Sequence, residues 1–549
     1  MKTISAVVAD VVAEYTTEVF ALMGNGNAYF SDALLRAGRV TVTAVRHETA
    51  TVASADAYYR ASRKIAVATT TYGPGYTNAL TSLAEAAMSG TPLVFVVGSQ
   101  PSAGPRPWDI DQAVLAETVG ARTITLTAED PSRSTHRAFA MAEEESLPVV
   151  LFIPHDLGAA PAPENEPEFV AEEPESTDIS SAHIQEFLQP LSQAKRPLIL
   201  AGRGARAVAT ELGELADHLG ALSVATAPAR GIFSGRPYDL GVVGGFASEA
   251  SSALIKSADV VLVVGAGLNQ FTTAFTTQFN DTVTLLQIDR LSEPTSPLVQ
   301  HFLSAEAEQA VPALLSAVRE QVPAHTGERW DSDGEVARDS RITFEREQGT
   351  GSAPDGRLDP RSAMVRLNEI LPQDRQVISD GGHFIGWAAY YFDLPQTDSL
   401  LLVGTQFQSI GLGFPSALGA LRARPGVTSI LVTGDGGGLM GLPDLDSVVR
   451  LADSAVVLVF NDAAYGAEIH QYGSQGLDET IMNIDQIDFA KLADGFGAQG
   501  VVVNTMADLD HVQSWVEEGA RGTLIVDLRI SRTVVAPYIE EIVELTIKK

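Results

Sequence analysis

Short apolar runs alternate with amphipathic stretches along most of the chain. In the N-terminal third, the apolar runs cover residues 19–23, 40–45, 65–69 and 93–97. Helical patterns follow the second and third runs, over residues 49–60 and up to Met88. Apolar runs without strict alternation are typical of parallel strands that are covered by helices on both faces. The pattern therefore predicts a doubly wound α/β domain.

The same alternation returns twice further along the chain. Further apolar runs cover residues 197–201, 222–225, 260–265, 283–288, 376–379, 430–432 and 456–460. Helices are predicted over residues 360–370 and near residues 442–451. Between these regions, residues 158–181 are rich in Pro and Glu and residues 325–357 are charged, which is typical of solvated linkers. We therefore predict three parallel-sheet domains, at residues 1–160, 182–325 and 356–549.

Charge and composition narrow the function classes. The 549 residues include 37 Lys and Arg against 69 Asp and Glu, so the net charge of −32 disfavours a nucleic-acid partner. The absence of cysteine excludes disulfides, thiolate nucleophiles and zinc–thiolate sites. The N-terminus lacks a signal peptide's apolar core, and no apolar run has membrane-spanning length. We expect a cytoplasmic protein with no membrane partner.

The stretch from residue 434 to residue 468 carries the strongest chemical signal. Four glycines follow a predicted strand there, namely Gly434, Gly436, Gly437 and Gly438. Their uncovered amides would let a diphosphate approach closely. Asp435 offers an oxygen ligand, and the next strand delivers Asn461 and Asp462 at the same edge of the sheet. Because Mg²⁺ prefers oxygen ligands, the stretch predicts a diphosphate and Mg²⁺ site.

A single Gly-Asp-Gly is often only a turn before a capped helix, but here its spacing to the Asn-Asp pair is informative. Together they resemble the diphosphate-binding motif of thiamine diphosphate (ThDP) enzymes. The resemblance implies metal ligands at Asp435, at Asp462 and at the carbonyl of Ala464, with Asn461 as the fallback for the second. Many relatives carry Asn where this chain has Asp462, so an additional negative charge lies beside the diphosphate.

The N-terminal third resembles the pyrimidine-binding domain of the acetolactate synthase group of ThDP enzymes. Arg-His-Glu at residues 46–48, Gly-Pro-Gly-x-Thr-Asn at residues 73–78 and Gly-x-x-Pro at residues 98–101 occur in the family's order. The resemblance implies that Glu48 hydrogen-bonds N1′ of the aminopyrimidine and so promotes loss of the C2 proton. The alternative for Glu48 is a helix N-terminal acid that interacts with the macrodipole. Asn25 is either a substrate contact or a loop cap.

Two turns in the C-terminal third resemble further cofactor contacts. Relatives place diphosphate contacts at the turn that contains Gly382 and His383, for which a buried structural histidine is the alternative. Residues 406–415 resemble the turn that holds ThDP in a bent conformation. The resemblance implies that Ile410 lies under the bend and that the Gln408 carbonyl accepts a hydrogen bond from the 4′-amino group, which is a proximity effect.

Glu468 bears on the fate of the reaction. In pyruvate and indolepyruvate decarboxylases, a glutamate in this relation to the metal loop helps to protonate the enamine, so that an aldehyde is released. Acetolactate synthases usually carry an apolar residue there, so Glu468 departs from the synthase pattern. The alternative is a solvent-facing helix acid. His470, two residues further on, is a candidate substrate contact.

The resemblance implies a ThDP- and Mg²⁺-dependent enzyme that decarboxylates a small-molecule 2-oxo acid to an enamine and then ligates the enamine to a second carbonyl compound. Release of an aldehyde is the first alternative. A catalytically inactive ThDP-fold subunit and a flavin-dependent oxidase are the others. In the family, the counterparts of Glu48 and Asp435 come from different subunits. The resemblance therefore implies a homodimer or homotetramer with active sites at the subunit interface.

A flavin is possible but not favoured. Acetolactate synthases hold FAD in the middle domain, in a structural role. Gly-x-Gly turns follow predicted strands at residues 202–204 and 265–267, but neither completes a dinucleotide fingerprint. The flavin-associated Arg-Phe-Asp-Asp that usually follows the second turn is replaced by Leu-Asn-Gln-Phe at residues 268–271.

Overall fold

The computed structural model describes residues 2–166, 169–170, 179–330, 347–394 and 396–547. The chain divides into two compact units, each of which is discontinuous in sequence. The first comprises Met1–Pro174, Gly351–Ile385 and Leu401–Val534, and the second comprises Glu175–Thr350, Gly386–Leu400 and Val535–Lys549. Much of both predicted linkers, at residues 167–168, 171–178 and 331–346, lies outside the described residues. The proposed domain limits stay a prediction.

The first unit contains two six-stranded parallel sheets, of which one comes from the N-terminal third. Its strands are β1 Glu18–Ala21, β2 Thr41–Ala44, β3 Val67–Thr70, β4 Leu93–Ser99, β5 Arg122–Thr125 and β6 Pro148–Pro154. Its helices are α1 Ile4–Tyr15, α2 Ala28–Ala37, α3 Thr49–Ser62, α4 Pro74–Thr77, α5 Leu80–Met88, α6 Gln112–Thr118 and α7 Pro131–Glu145. The strand order is β2-β1-β3-β4-β6-β5. In a parallel sheet this order brings the loops after β1, β3, β4 and β6 to one edge.

The second unit contains the middle sheet. Its strands are β7 Pro197–Ala201, β8 Leu222–Ala225, β9 Asp239–Val242, β10 Val260–Val264, β11 Thr284–Asp289 and β12 Val299–Ser304, in the order β12-β11-β10-β7-β8-β9. Its helices include α8 Ser181–Gln193, α9 Ala209–Leu219, α10 Glu249–Ser257 and α11 Ala307–Gln321. Short 3₁₀ segments cover Arg203–Val208, Ala227–Ala229 and Gly244–Phe246.

The other sheet of the first unit comes from the C-terminal third. Its strands are β13 Arg375–Ser379, β14 Leu400–Leu402, β15 Thr428–Gly434, β16 Ser454–Phe460, β17 Gln499–Val503 and β18 Gly522–Leu528, in the order β14-β13-β15-β16-β18-β17. The helices of this part of the chain are α12 Pro360–Ile370, α13 Ile385–Tyr391, α14 Gly413–Ala423, α15 Asp435–Met440, α16 Leu445–Leu451, α17 Gly466–Gln471, α18 Phe489–Phe496, α19 Asp510–Glu517 and α20 Pro537–Ile547. Residues from Gly386 in α13, Leu400 of β14 and all of α20 belong to the second unit. Further 3₁₀ segments cover Leu442–Asp444, Gly473–Gln475 and Met506–Leu509.

The prediction of three doubly wound parallel sheets is confirmed. The central strands β4 and β15 are buried at every residue, which explains why they appear in the sequence as continuous apolar runs. The sequence does not single out seven strands. Five of them, β5, β9, β12, β14 and β17, lie at sheet edges, whereas β6 and β18 are central. Edge strands are short or partly polar because one side meets no neighbouring strand, so they carry a weaker pattern.

The glycines after β15 are helical, since residues 436–438 lie inside the short helix α15, which begins at Asp435. The predicted helix near residues 442–451 is a 3₁₀ turn followed by α16. Glycine lowers helix propensity, and the surrounding packing overrides that preference here.

Helices α3 and α14 pack the two sheets of the first unit together. The Ser54 hydroxyl on α3 donates to the Pro415 carbonyl of α14 at 2.7 Å. A Cβ atom added at Gly419 would lie only 1.9 Å from the Ser54 carbonyl oxygen. The helices therefore approach so closely that only glycine fits at that position. Among the described residues, no helix has the length and apolar character needed to cross a membrane.

Candidate active site

Two neighbouring strands bring the predicted metal ligands together. β15 and β16 are paired in parallel, with Gly434 opposite Phe460. Asp435 and Asn461 therefore follow directly at the same edge, and Asp462 comes next. All three side chains are buried, with 2%, 0% and 5% of their surface exposed. The strand register thus produces the clustering that the sequence spacing predicts.

The carboxylates of Asp435 and Asp462 lie close together. The backbone amide of Ala464 lowers the pKa of both, so it lies near each of them. Burial, and then the charge of Asp462, raise the pKa of Asp435 to about 7. Burial likewise raises the pKa of Asp462 to about 6, against the opposing effect of Arg532. Two carboxyl groups that share one small buried site hold protons more tightly, because neither charge is fully solvated.

One oxygen of the Asp435 carboxylate has no hydrogen-bond partner among the residues that the structure describes. Its Oδ2 atom is buried and accepts no hydrogen bond from the described residues. A buried carboxylate oxygen without a donor is costly unless a cation or a proton satisfies it. No group of three or more His, Cys, Asp or Glu side chains suited to a metal occurs in the described part of the chain. The donor set fits Mg²⁺ if backbone and phosphate oxygens complete it.

The loop that follows Asn461 is held by residues distant in sequence. Arg532 donates to the carbonyls of Asp462 and Ala463 at 2.8 and 2.9 Å. The Asn461 side chain donates to Asp527 at 2.9 Å, while its Oδ1 atom is buried and unpartnered. Ala463 has a φ of +58°, an unusual conformation for a residue other than glycine. The sequence gives no local signal for Arg532 or Asp527, because their partners lie about 70 residues away.

The glycines of α15 are required by close packing. A Cβ atom added at Gly436 would lie 2.5 Å from the Tyr465 ring, and one at Gly437 would lie 2.6 Å from Asp380. One added at Gly434 would lie 2.7 Å from the Phe384 ring. These glycines therefore let neighbouring segments converge on the two carboxylates.

The turn formed by residues 406–412, called the prop turn below, lies beside the turn after β13. A Cβ atom added at Gly381 would lie 3.3 Å from the Ile410 side chain. Gln408 adopts a left-handed conformation with a φ of +56°, and Gly382 has a φ of +137°. Because the prop turn starts after β14 and β14 lies next to β13, the sequence-predicted bend residues lie near the site edge.

His383 and His470 contact each other. The centroids of their imidazole rings are 4.6 Å apart. His383 is buried, and burial lowers its pKa to about 3. Burial also lowers the pKa of His470, whose Nε2 atom is buried without a partner. Glu468 is exposed to solvent on the same short helix, α17, as its alternative interpretation expects.

The N-terminal candidates lie at the edge of the other sheet. Glu48 is half-buried and accepts a hydrogen bond from the Asn78 amide at 3.0 Å. Its side chain makes no capping hydrogen bond to α3. Asn25 is exposed and donates to the Tyr72 hydroxyl at 2.8 Å. Glu48 is the N-cap residue of α3, which agrees with its alternative interpretation as a helix N-terminal acid. The Asn25 side chain bonds to Tyr72 rather than to its own loop.

A cavity of about 230 Å³ lies between the two sheets of the first unit. Neighbours of Glu48 line one wall, namely His47, Thr49, Asn78 and Thr81. The prop turn and the segment that runs from the end of α15 into the next 3₁₀ turn line the other wall. The residues of that wall are Ile410, Gly411, Leu412, Pro415, Met440, Gly441, Pro443 and Asp444. The surroundings of Glu48 and the prop turn are therefore adjacent within one chain.

Comparison with known proteins decides the family. The N-terminal TPP (thiamine pyrophosphate) binding domain of thiamine pyrophosphate enzymes matches residues 1–117. Their central domain matches residues 184–308, and their C-terminal TPP binding domain matches residues 380–527. The chain belongs to the thiamine pyrophosphate enzyme family. The two matches to TPP binding domains cover most strands of the two sheets of the first unit, and they include Glu48 and Asp435.

Individual relatives agree with this assignment. The large subunit of acetolactate synthase isozyme 2 from Escherichia coli is 26% identical over 89% of this chain and 88% of its own length. The large subunit of isozyme 3 from the same organism is 26% identical over 95% of this chain and 93% of its own length. Among solved structures, a Rhodococcus jostii ThDP-dependent 4-hydroxybenzoylformate decarboxylase covers 97% of this chain with a TM-score of 0.76 and 20% identity, and all of its own chain is matched. The ThDP-enzyme fold is thus shared along nearly the whole chain.

Proposed function

We propose that this chain is a ThDP- and Mg²⁺-dependent enzyme that decarboxylates a 2-oxo acid and joins the product to a second carbonyl compound. The observation that carries the proposal is the buried, unpartnered Oδ2 atom of Asp435 beside the Asp462 carboxylate. The family match adds the cofactor class, and the relatives named above add carboligation as the first candidate reaction.

The chain's own residues fit the cofactor. Asp435, Asp462 and the Ala464 carbonyl would hold Mg²⁺, which in turn would hold the diphosphate. The Asn461 side-chain NH₂ group donates to Asp527, which leaves the buried Oδ1 atom unpartnered among the described residues, so Asn461 stays the fallback for Asp462 as a ligand. When bound, ThDP supplies a carbon nucleophile and an electron sink for decarboxylation.

Four further residues are proposed to contact the diphosphate. The amides of Gly436 and Gly437 lie at the start of α15, where they would face the diphosphate. Gly382 and His383 lie in the turn after the neighbouring strand β13, and the neutral imidazole of His383 would donate one hydrogen bond. These roles repeat the sequence prediction, and each is supported by the position of the residue at the shared sheet edge.

Glu48 would exchange a proton with the aminopyrimidine. Its carboxylate is oriented by Asn78, and its half-buried position leaves the remaining oxygen lone pairs available. The prop turn would hold the reacting groups together through Ile410 and the Gln408 carbonyl. Asn25 and Tyr72, which are linked by a hydrogen bond at the edge of the N-terminal sheet, would contact the 2-oxo acid.

Release of an aldehyde is the second candidate reaction. It requires a proton donor in place of a carbonyl acceptor. His470 supports this candidate, because its Nε2 atom is buried, unpartnered and close to His383. Glu468 supports it less, because its side chain is exposed.

The active enzyme is proposed to be a homodimer or homotetramer. Each active site would combine Glu48 of one subunit with Asp435 of another. The resemblance to ThDP enzymes motivates this arrangement. Asn25 is exposed at this edge of the N-terminal sheet, which leaves the edge available to a second copy, whereas Asn78 also lines the cavity that faces the prop turn of the same chain. Cyclic two-fold pairing is the commonest way for one surface to meet itself.

Calorimetric titration of ThDP with and without Mg²⁺ tests the proposal, followed by a product screen with pyruvate and benzoylformate. We expect Mg²⁺-dependent binding to the wild type and weakening of about tenfold or more in Asp435→Asn. Asp239→Asn, which alters a buried carboxylate in the second unit, is the matched control. Hydroxyketone products would identify a ligase, and aldehyde products would identify a decarboxylase. A flavin absorbance band would support the oxidase alternative. A wild type that binds no ThDP would refute the proposal.

A further inference from the structure

A buried carboxylate from the N-terminal sheet anchors the start of the prop turn. Glu85 lies on α5 and its side chain is fully buried. Its Oε2 atom accepts hydrogen bonds from the backbone amides of Gln406 and Phe407, at 2.9 and 2.8 Å. These amides come just before Gln408. More than 300 residues separate Glu85 from them, so no local sequence pattern connects them.

A second buried carboxylate anchors the end of the same turn. Asp380 follows β13 and is fully buried. It accepts hydrogen bonds from the amides of Gly411 and Leu412 at 3.0 and 3.3 Å. The Thr433 hydroxyl donates to its other oxygen at 3.1 Å. The three residues 408–410 are thus bracketed by two carboxylates, each of which holds two consecutive amides.

The first anchor is part of a buried ionic network. Arg60 donates to Asp56 at 2.6 Å and to the Oε1 atom of Glu85 at 2.9 Å. Another nitrogen of Arg60 donates to the Leu402 carbonyl, at the end of β14, at 2.8 Å. One guanidinium therefore faces two carboxylates, and the prop-turn amides provide the further donors that the second charge needs. The network couples helices α3 and α5 to the segment that leads into the turn.

This bracketing explains how the turn keeps its conformation. Gln408 has a left-handed φ of +56°, and Gly404 and Gly411 also have positive φ values. The Ser409 amide donates back to the Gly404 carbonyl at 2.9 Å. A residue other than glycine stays in this region only when its surroundings determine it. The two carboxylates are the groups that fix the backbone on both sides of Gln408.

We propose that Glu85 and Asp380 are positioning residues that hold the Gln408–Ile410 bend in the geometry needed to keep the cofactor's reacting groups together. This inference rests on the proposed ThDP function. It goes beyond that function by assigning the bend geometry to two side chains that do not themselves touch the cofactor. One of them comes from the opposite sheet, so the N-terminal half of the chain shapes the C-terminal half of its own site.

The principal test is Glu85→Asp, which keeps the negative charge opposite Arg60 but shortens the side chain by one methylene. In the protein without cofactor, we expect faster hydrogen exchange at the amides of Gln406 and Phe407. With ThDP and Mg²⁺, we expect binding within about threefold of the wild type, but deuterium exchange at C2 of bound ThDP slowed by about 10²-fold. A residue with a general structural role would change stability without separating affinity from C2 exchange.

Asp380→Asn tests the second anchor and covers the case in which Glu85→Asp does not fold. It retains one acceptor oxygen but places an NH₂ group against amide or hydroxyl donors. We expect faster amide exchange at Gly411 and Leu412 and the same loss of C2 exchange. Asp239→Asn is the control, because this buried carboxylate of the second unit accepts from the Gly241 amide and does not contact the turn.

The outcomes are separable. Amide exchange at wild-type rates in both variants would refute the anchoring. Faster amide exchange with wild-type C2 exchange would show that the anchored turn does not set the reacting geometry, and would also overturn the proposal. If the wild type binds no ThDP, the proposed function and the positioning role fail together, and amide exchange still reports whether the carboxylates hold the turn.

Discussion

The imidazole rings of His383 and His470 lie with their centroids 4.6 Å apart, inclined at 59°. His383 belongs to the turn after β13 and His470 to α17, which follows the metal loop. Two residues along a helix correspond to a rotation of about 200°, so Glu468 and His470 lie on opposite faces of α17. His470 thus packs against the site, whereas Glu468 meets solvent.

This contact predicts which group controls product fate. If a proton from the chain is needed for aldehyde release, His470→Gln should lower the ratio of aldehyde to ligation product more than Glu468→Gln does. The physical reason is that only His470 has a buried, unpartnered nitrogen beside the site. Chromatographic product ratios with pyruvate as substrate measure the effect. A larger change in Glu468→Gln would restore the glutamate to the role that the sequence suggested.

The proposed sharing of sites between subunits predicts complementation. Glu48→Gln should retain ThDP binding but lose about 10²–10⁴-fold in turnover, because it removes a general acid–base group. Asp435→Asn should lose Mg²⁺-dependent binding. Mixing the two inactive variants under subunit exchange should restore about a quarter of wild-type activity, since random pairing in a two-fold dimer leaves that share of sites intact.

The control for complementation is each variant mixed with itself. Size-exclusion chromatography of the same samples reports the oligomeric state. If both residues serve the site within a single chain, no mixture regains activity. An active monomer would contradict the shared-site arrangement directly.

The raised pKa values of the metal-site carboxyls predict a pH-dependent affinity for Mg²⁺. Asp435 titrates near pH 7 and Asp462 near pH 6 in the metal-free protein, against an ordinary value of 3.8. A metal binds the deprotonated groups, so Mg²⁺ affinity at saturating ThDP should rise from pH 5 to about pH 8, with proton release. Titration calorimetry in buffers of different ionisation enthalpy measures both quantities.

Asp462→Asn should move this pH dependence to lower pH, because it removes the neighbouring charge that raises the pKa of Asp435. The same shifts bear on stability. Between about pH 4 and pH 7 the folded state holds protons that the unfolded state releases, so these carboxyls make the folded metal-free protein less stable as pH rises. The contribution of Asp435 is the difference in the free energy of unfolding between wild type and Asp435→Asn across that window. An Mg²⁺ affinity independent of pH would contradict the burial of the two groups.

The packing of α3 on α14 predicts a stability effect away from the chemistry. Gly419→Ala would place a methyl group against the Ser54 carbonyl and the Tyr58 amide, at 1.9 and 2.6 Å. We expect a loss of about 1–3 kcal/mol in the free energy of unfolding, as for overpacked cores. Gly495→Ala in α18 meets no atom within 4 Å and should stabilise by about 0.5–1 kcal/mol. Urea unfolding of both variants measures the contrast, and equal effects would contradict it.

The sequence by itself determined the three parallel sheets and the edge where Asp435 meets Asp462. Strands buried on both faces appear as continuous apolar runs, and parallel strands necessarily place their following loops at one edge. The roles of Glu48 and Ile410 came from family motifs and stay predictions, although the structure places the residues around both of them on facing walls of one cavity.

Only the tertiary structure decided which side chains support that site. Glu85, Asp380 and Arg532 bond to backbone groups between about 30 and 320 residues away, and such contacts leave no periodic or local pattern in the sequence. The edge strands, the helical placement of Gly436 and the outward direction of Glu468 were also decided by packing. Local propensity is worth less than about 1 kcal/mol per residue, so burial against distant partners overrides it.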